Sequence, residues 1–407
     1  MVNSPAVADS TPWNPQDGDF VATASGIAAR PKHSRTSHCG GDLQSQGAAL
    51  KRMDSILIRA TNWIGDAIIS LPAVKELRRL YPRARISILA KPWVADVYRA
   101  VQVADEVILF DRAAHPGVAG VFQIARQLRE RHFQSAVLLQ NAFEAAAIAY
   151  LARIPVRIGY DTDCRGLLLT DAVRVPKQFK TRHQSYYYLH LLQASGLSSA
   201  SYAPEEGYQP DALLELSEAQ TIQALRSLQS LGISRERPLI GLNPGAAFGP
   251  AKRWFPDRYA AVADHLIGRW GAQVVVFGTP AEREIASEIQ RCMRQPPLIL
   301  SGQTSLMELM GMIACCDLFI TNDSGPMHLA AALQRPLIAL FGSTDENATG
   351  PMSRAAHVIH KPVDCTPCFR RTCPIDLRCF DQIRVPEVCA LADEILQARS
   401  LDRVEVN

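Results

Sequence analysis

The sequence is short of several features that would classify it at once. No run approaches the roughly eighteen apolar residues that a membrane-crossing helix needs, so no helical span is expected. The opening stretch, Met1 to Gly47, has neither a basic n-region nor an apolar h-region. The expectation is therefore a cytoplasmic protein with no export signal. Charge of one sign is not in excess: 43 Lys and Arg stand against 40 Asp and Glu, a formal net charge of +3. That balance permits contact with an anionic substrate or a membrane face, but it lacks the basic footprint of a dedicated nucleic-acid binder. Two glycine signatures are also missing. No GxxxxGKS or GxxxxGKT run is present, which removes the Walker loop, and no GxGxxG follows a strand, which makes a nicotinamide dehydrogenase unattractive.

What is present is ordinary globular material, 47% hydrophobic and 20% charged over 407 residues. That length exceeds what one core usually supports and predicts two or three domains. The Pro-, Ser-, Thr- and Gly-containing start reads as a flexible extension, or as an irregular arm lying on the first domain. Of the ten cysteines, Cys39, Cys164, Cys292, Cys315 and Cys316 are scattered. Cys365, Cys368, Cys373 and Cys379 are clustered, with Cys389 beyond them.

Short apolar strands alternate with helical stretches twice over. The first series opens at Ile56-Leu57-Ile58-Arg59 and runs through a helix predicted from Ala67 to Tyr81, then strands at Arg85 to Leu89, Glu106 to Phe110 and Ser135 to Gln140. Residues Thr170 to Tyr208 read as less regular, and Leu213 to Leu231 as a helix. The second series restarts at Leu239 to Leu242 and ends on a strand at Leu337 to Phe341, with a helical tail beyond Val385. Such alternation predicts an α/β protein of two Rossmann-like domains, each a parallel sheet covered by helices, facing an interdomain cleft. The expected divisions are an extension over 1–53, an N-terminal domain over 54–235, a C-terminal domain over 236–384 with a cysteine-rich loop at 364–380, and a helix and tail over 385–407.

Three strand-end turns carry candidate chemistry. Gly65-Asp66 opens a helix, where Asp66 is either an N-terminal cap or a general base held in a cleft. In the segment Asn243 to Trp254, glycine-containing backbone can approach phosphate and Lys252 or Arg253 can neutralise it, unless this is only a solvated basic turn. In Thr321-Asn322-Asp323-Ser324-Gly325-Pro326-Met327-His328, amides and hydroxyls can meet a diphosphate, and Pro326 suits a first helical turn. Asp323 or Ser324 can equally serve as a cap, and His328 as a structural histidine.

Together and in this order, the three segments resemble the ADP-heptose:lipopolysaccharide heptosyltransferases, over about Ser55 to Leu396, and the type II enzymes more than type I. The resemblance implies a GT-B fold and inverting transfer of heptose from ADP-heptose, with no cofactor required for catalysis. It implies that the acceptor is the first heptose of a Kdo-lipid A core, met at the inner face of the cytoplasmic membrane. By the same likeness, Asp66 is the catalytic base, and Lys252, Ser324, Gly325 and His328 surround the donor phosphates. Ala247, Asp323, Thr279, Glu282 and Thr304 are implied as further donor contacts. Ala247 departs from the family pattern, which often has an acidic residue there.

Arg59, Lys91 and Arg182, with the aromatic and basic residues Phe179, Lys180, His183, Tyr186, Tyr187 and Tyr188, are candidates to meet the anionic acceptor, or form an ordinary solvated face. The spacing Cys365-x2-Cys368-x4-Cys373-x5-Cys379 offers four soft ligands for a structural zinc, with reduced thiols, a disulfide or iron-sulfur chemistry as alternatives. A relative using another sugar or acceptor, and a nonenzymatic sugar-nucleotide sensor that keeps Lys252 and the Asp323 turn, are the competing functional readings.

Overall fold

The computed structural model describes residues 53–176, 179 and 182–405. The N-terminal extension through residue 52 and Lys180 lie outside them. The first α/β unit contains β1 (Ser55–Arg59), α1 (Ile64–Leu80), β2 (Arg85–Ala90), α2 (Pro92–Val101), β3 (Glu106–Leu109), α3 (Gly117–Arg129) and β4 (Ser135–Leu138). It continues through α4 (Phe143–Leu151), β5 (Val156–Tyr160) and β6 (Asp171–Val173). Two helices follow, α5 (Gln184–Ala194) and α6 (Glu218–Ser230).

The second unit contains β7 (Leu239–Asn243), α7 (Pro256–Trp270), β8 (Gln273–Val276), α8 (Arg283–Cys292), β9 (Leu298–Ile299), α9 (Leu306–Cys315) and β10 (Leu318–Asn322). It ends with α10 (Gly325–Ala332), β11 (Leu337–Phe341), α11 (Glu346–Thr349), β12 (Ala356–His360), α12 (Arg378–Asp381) and α13 (Val385–Glu405). The last helix packs on α7.

Both sheets have six parallel strands, in the orders β3-β2-β1-β4-β5-β6 and β12-β11-β10-β7-β8-β9. Each order reverses direction once, between β1 and β4 and between β7 and β10. Turns leaving the carboxyl ends of strands beside such a reversal diverge to opposite faces and leave a crevice. The turns after β1, β7 and β10 are the three that carry the candidate chemistry.

The units share one core. An apolar cluster runs from Ile56 and Ile58 through Leu71, Val74 and Leu189 to Leu329 and Phe319, and the outer faces of the two sheets have their own clusters. Helix α1 packs on α5 and on α10 of the second unit, and α6 packs on α9. The first of these approaches is allowed by glycine. A Cβ on Gly325 would stand 3.0 Å from Cβ of Ile64, and one on Gly65 2.9 Å from Cδ2 of His328. Two further ties cross between the units: His183 Nε2 lies 3.0 Å from the Gly350 carbonyl oxygen, and the Leu214 N–H donates to Ala332 at 2.9 Å.

Candidate functional site

Helix α1 begins at Ile64, three residues before its predicted start, because Trp63 takes the extended cap conformation with no side-chain cap. Asp66 is therefore a residue of the first helical turn rather than the cap. Its carboxyl faces a cavity of about 170 Å³ whose lining comes from both units: Trp63 and Asp66 from the first, Lys252, Asp323, Ser324 and His328 from the second. Burial raises the Asp66 pKa to about 6, against the pull of the Lys252 charge and with a smaller push from Asp323. A carboxyl so placed exchanges its proton near neutrality, as a general base requires.

From the second unit, Lys252 ends the short 3-10 turn Pro250–Lys252 and donates from Nζ to Oδ2 of Asp323 at 2.6 Å. The pair is largely enclosed, with side-chain exposures of 14% and 5%. The Thr344 hydroxyl donates to the same Oδ2 at 2.6 Å. Burial alone would raise the Asp323 pKa, but the charge and hydrogen bond of Lys252, with help from Thr344, hold it below the usual carboxylate range. Asp323 is thus anionic and serves as the fixed anchor of the lysine. Nζ also sits 5.0 Å from the centre of the Phe248 ring.

Buried asparagines hold the turns after β7 and β10 together. Asn322 Nδ2 donates to the Pro244 carbonyl at 2.7 Å, while its Oδ1 accepts from the Trp254 N–H and the Tyr259 hydroxyl. Asn243 Nδ2 donates to the Ser324 hydroxyl at 3.2 Å. Ser324 precedes α10 in an extended conformation, so the first amides of that helix are directed toward the cavity end, where an anion is favoured. His328 is buried beside them. Burial lowers its pKa to about 4, outweighing the nearby Asp323, so the ring is neutral at pH 7. Its Nδ1 has no hydrogen-bond partner among the described residues.

Not every residue singled out in the sequence arrives here. Ala247 and Gly325 line the cavity with Asp66. Thr279, Glu282 and Thr304 do not. Glu282 accepts from the Thr279 N–H and hydroxyl at 2.8 and 2.9 Å, and its carboxyl lies where a Cβ on Gly245 would be. That carboxyl therefore braces the turn after β7 from behind. Arg59 and Lys91 also stay outside. Arg59 is buried and donates to the carbonyls of Ala60 and Leu89 and to Asn62, with its pKa lowered to about 10 by burial. Lys91 Nζ stands 4.1 Å from the centre of the Phe110 ring, and burial, then the charge of Arg59, lower its pKa to about 8. Arg182 is paired with Glu205 at 2.7 Å. From the same segment, Gln184, Tyr187 and Tyr188 do reach the cavity, because α5 carries them there.

The expected zinc site is corrected. Among the described residues, no three His, Cys, Asp or Glu side chains gather closely enough to hold a metal ion. Cys379 is buried in the second unit's outer core, Cys365 is exposed, and the Cys373 sulfur accepts from the Leu377 N–H. Peptide contacts hold this loop instead. The N–H groups of Cys368 and Phe369 donate to the Ser343 carbonyl, and the Ala251 N–H, in the segment after β7, donates to the Arg371 carbonyl.

Sequence reasoning missed Thr344 and Asn141, which respectively anchor Asp323 and hydrogen-bond the Tyr187 hydroxyl. Both follow strands, β11 and β4, and the rule that singled out the other turns would have found them.

Residues 121–378 match the family described as Glycosyltransferase family 9 (heptosyltransferase). Among characterised relatives, the chain is 34% identical over 316 residues to lipopolysaccharide heptosyltransferase 2 of Salmonella typhimurium, covering 75% of this chain and 87% of that protein. Among solved structures, ADP-heptose lps heptosyltransferase II of E. coli superposes with a TM-score of 0.72 at 29% identity, over 85% of this chain and 99% of that one. A glycosyltransferase family 9 protein of Veillonella parvula gives 0.73 at 25% identity, over 86% and 100%.

Proposed function

Because the chain belongs to glycosyltransferase family 9, the heptosyltransferases, we propose that its cleft transfers heptose from ADP-heptose to a lipopolysaccharide core acceptor, with Asp66 as the base. The enzyme is a glycosyltransferase of GT-B fold, and heptose transfer in core assembly is its reaction. The finer reading is that the acceptor is the first heptose of a Kdo-lipid A core, met at the cytoplasmic face of the inner membrane. Among the described residues no helix is long and apolar enough to cross a membrane.

The observation that carries the assignment of roles is that Asp66 of the first unit and Lys252 of the second line one cavity, near enough for the lysine charge to pull on the carboxyl. The acceptor hydroxyl gives its proton to the Asp66 carboxylate as its oxygen attacks the anomeric carbon. The bond from that carbon to the diphosphate breaks on the other face, which inverts the configuration. Charge growing on the departing ADP is met by Lys252 and by the first amides of α10, groups that hold their positions before the reaction starts. Asp323 and Thr344 fix the lysine, and neutral His328 fills the floor between α1 and α10.

The test is mass-resolved transfer from ADP-heptose to two acceptors, Kdo2-lipid A with and without its first heptose. Product only from the heptosylated acceptor is the expected result. Product only from the other acceptor refutes the acceptor assignment, while donor binding without product from either favours a sensor.

A further inference from the structure

The larger described cavity, about 420 Å³, lies away from this chemistry. Leu239 of β7 and Asp317, just before β10, line it, so it opens at the amino ends of the second sheet's strands. The Lys252 and Asp323 turns leave the opposite ends. Four guanidiniums face this cavity, from Arg235, Arg237, Arg335 and Arg399, and Asp317 is the one carboxylate among the described lining residues. That carboxylate is committed: Oδ2 accepts the Leu239 N–H at 2.9 Å, and Oδ1 pairs with Arg399 at 3.3 Å.

Two of the other arginines are held without an ion pair among the described residues. Arg237 donates to the carbonyls of Gly271 and Ala272, and Arg335 to those of Leu333 and Ala314. Carbonyl partners fix a guanidinium fork in space and leave its charge and remaining N–H groups available. Arg235 makes neither a side-chain hydrogen bond nor an ion pair among the described residues. Burial, then the like charge of Arg399, lowers the pKa of Arg335, with Cys316, Asp317 and Cys315 pulling the other way.

We propose that this cavity is a second ligand site, for a small phosphate-bearing anion of two or more negative charges, separate from the donor cleft. Fixed forks suit phosphate oxygens bidentately, and an anion would relieve the mutual repulsion of Arg335 and Arg399. The volume is within the range of small-molecule sites. The inference does not depend on the sugar or acceptor assigned above.

Inorganic pyrophosphate, titrated calorimetrically into the full chain, tests it. The Lys252→Ala chain removes the donor-side cation, and saturable binding should persist in it. Adding Arg235→Glu to that background should weaken the remaining binding about tenfold or more, the worth of a charge-assisted contact. Arg235 is exposed and bonds nothing that holds the fold, so unchanged melting without pyrophosphate verifies that the variant is intact. Loss of all binding on Lys252→Ala, or an affinity indifferent to Arg235→Glu, overturns the proposal.

Discussion

Replacing Asp66 by Asn should separate activity from stability in a way that only a poised base produces. The substitution keeps the size of the side chain and removes its ability to take a proton. General-base catalysis contributes roughly 10²- to 10⁴-fold, so turnover should fall by about that factor while donor binding changes little. Stability should move the other way. The folded carboxyl titrates near 6, about two units above its ordinary value of 3.8. Below about pH 4 it is protonated in both states and the fold loses nothing. As pH rises through 4 to 6 the unfolded chain ionises first, and the parent loses stability progressively, with the full loss reached above about 6. Two units correspond to ~3 kcal/mol, which water in the open cavity reduces to about 1–2 kcal/mol. Asp66→Asn should therefore melt a few degrees higher than the parent at pH 7.5 and together with it at pH 4. Single-turnover transfer and calorimetry across that range give both readouts, and the parent's kcat/KM should fall on the acid side with a midpoint near 6. Retention of more than a tenth of the turnover, or an acid limb near 4, would refute the assignment.

Three other substitutions bear on the same cavity. Lys252→Met should raise the donor KM by about 10- to 100-fold through loss of a charge-assisted contact, and should move the acid limb above 6 because Lys252 holds the Asp66 pKa down; an unmoved limb would mean the two groups do not sense each other. Gly65→Ala places a methyl 2.9 Å from Cδ2 of His328, and overpacking of that kind costs about 1–3 kcal/mol, read by denaturant titration alongside a fall in kcat. Thr344→Val removes a hydroxyl that donates to Asp323 at 2.6 Å, for a loss of about 1–2 kcal/mol. Because Asp323 titrates below its ordinary value, that difference should be present at pH 7 and shrink as pH falls below about 4.

The alternation of short apolar strands with helices made both sheets legible, since buried parallel strands carry the pattern in themselves. Elements without a one-sided pattern were not. Helix α5 lies within the stretch that reads as less regular, because Ser185, Tyr187, Tyr188, Leu189, Leu191 and Leu192 are all buried, which leaves no apolar stripe to see. Strand β12 sits at a sheet edge with His357 and Val358 exposed, and α2 follows its strand by a single residue, so neither was separated from its surroundings. The helix predicted from Leu213 starts at Glu218, where Ser217 and Gln220 form a capping box. In the site, the strand-end turns were readable one at a time. That Lys252 meets Asp323, 71 residues away, and that Glu282 props Gly245 from behind are facts of packing that no local spacing encodes. The cysteines failed as a metal site for the converse reason: their spacing is local, while the positions of their sulfurs are set by where α12 and its neighbours are buried.

The glycine contact between α1 and α10 has a mechanical meaning as well as a packing one. It lies at the floor of the cleft, where Gly65 touches His328 and Gly325 touches Ile64, with the shared core beneath it. A rotation of one sheet against the other about this contact would displace each group in proportion to its distance from it. Asp66 and Ser324 adjoin that contact, so such a rotation would widen the outer rim of the cleft far more than it would change the spacing of these two residues.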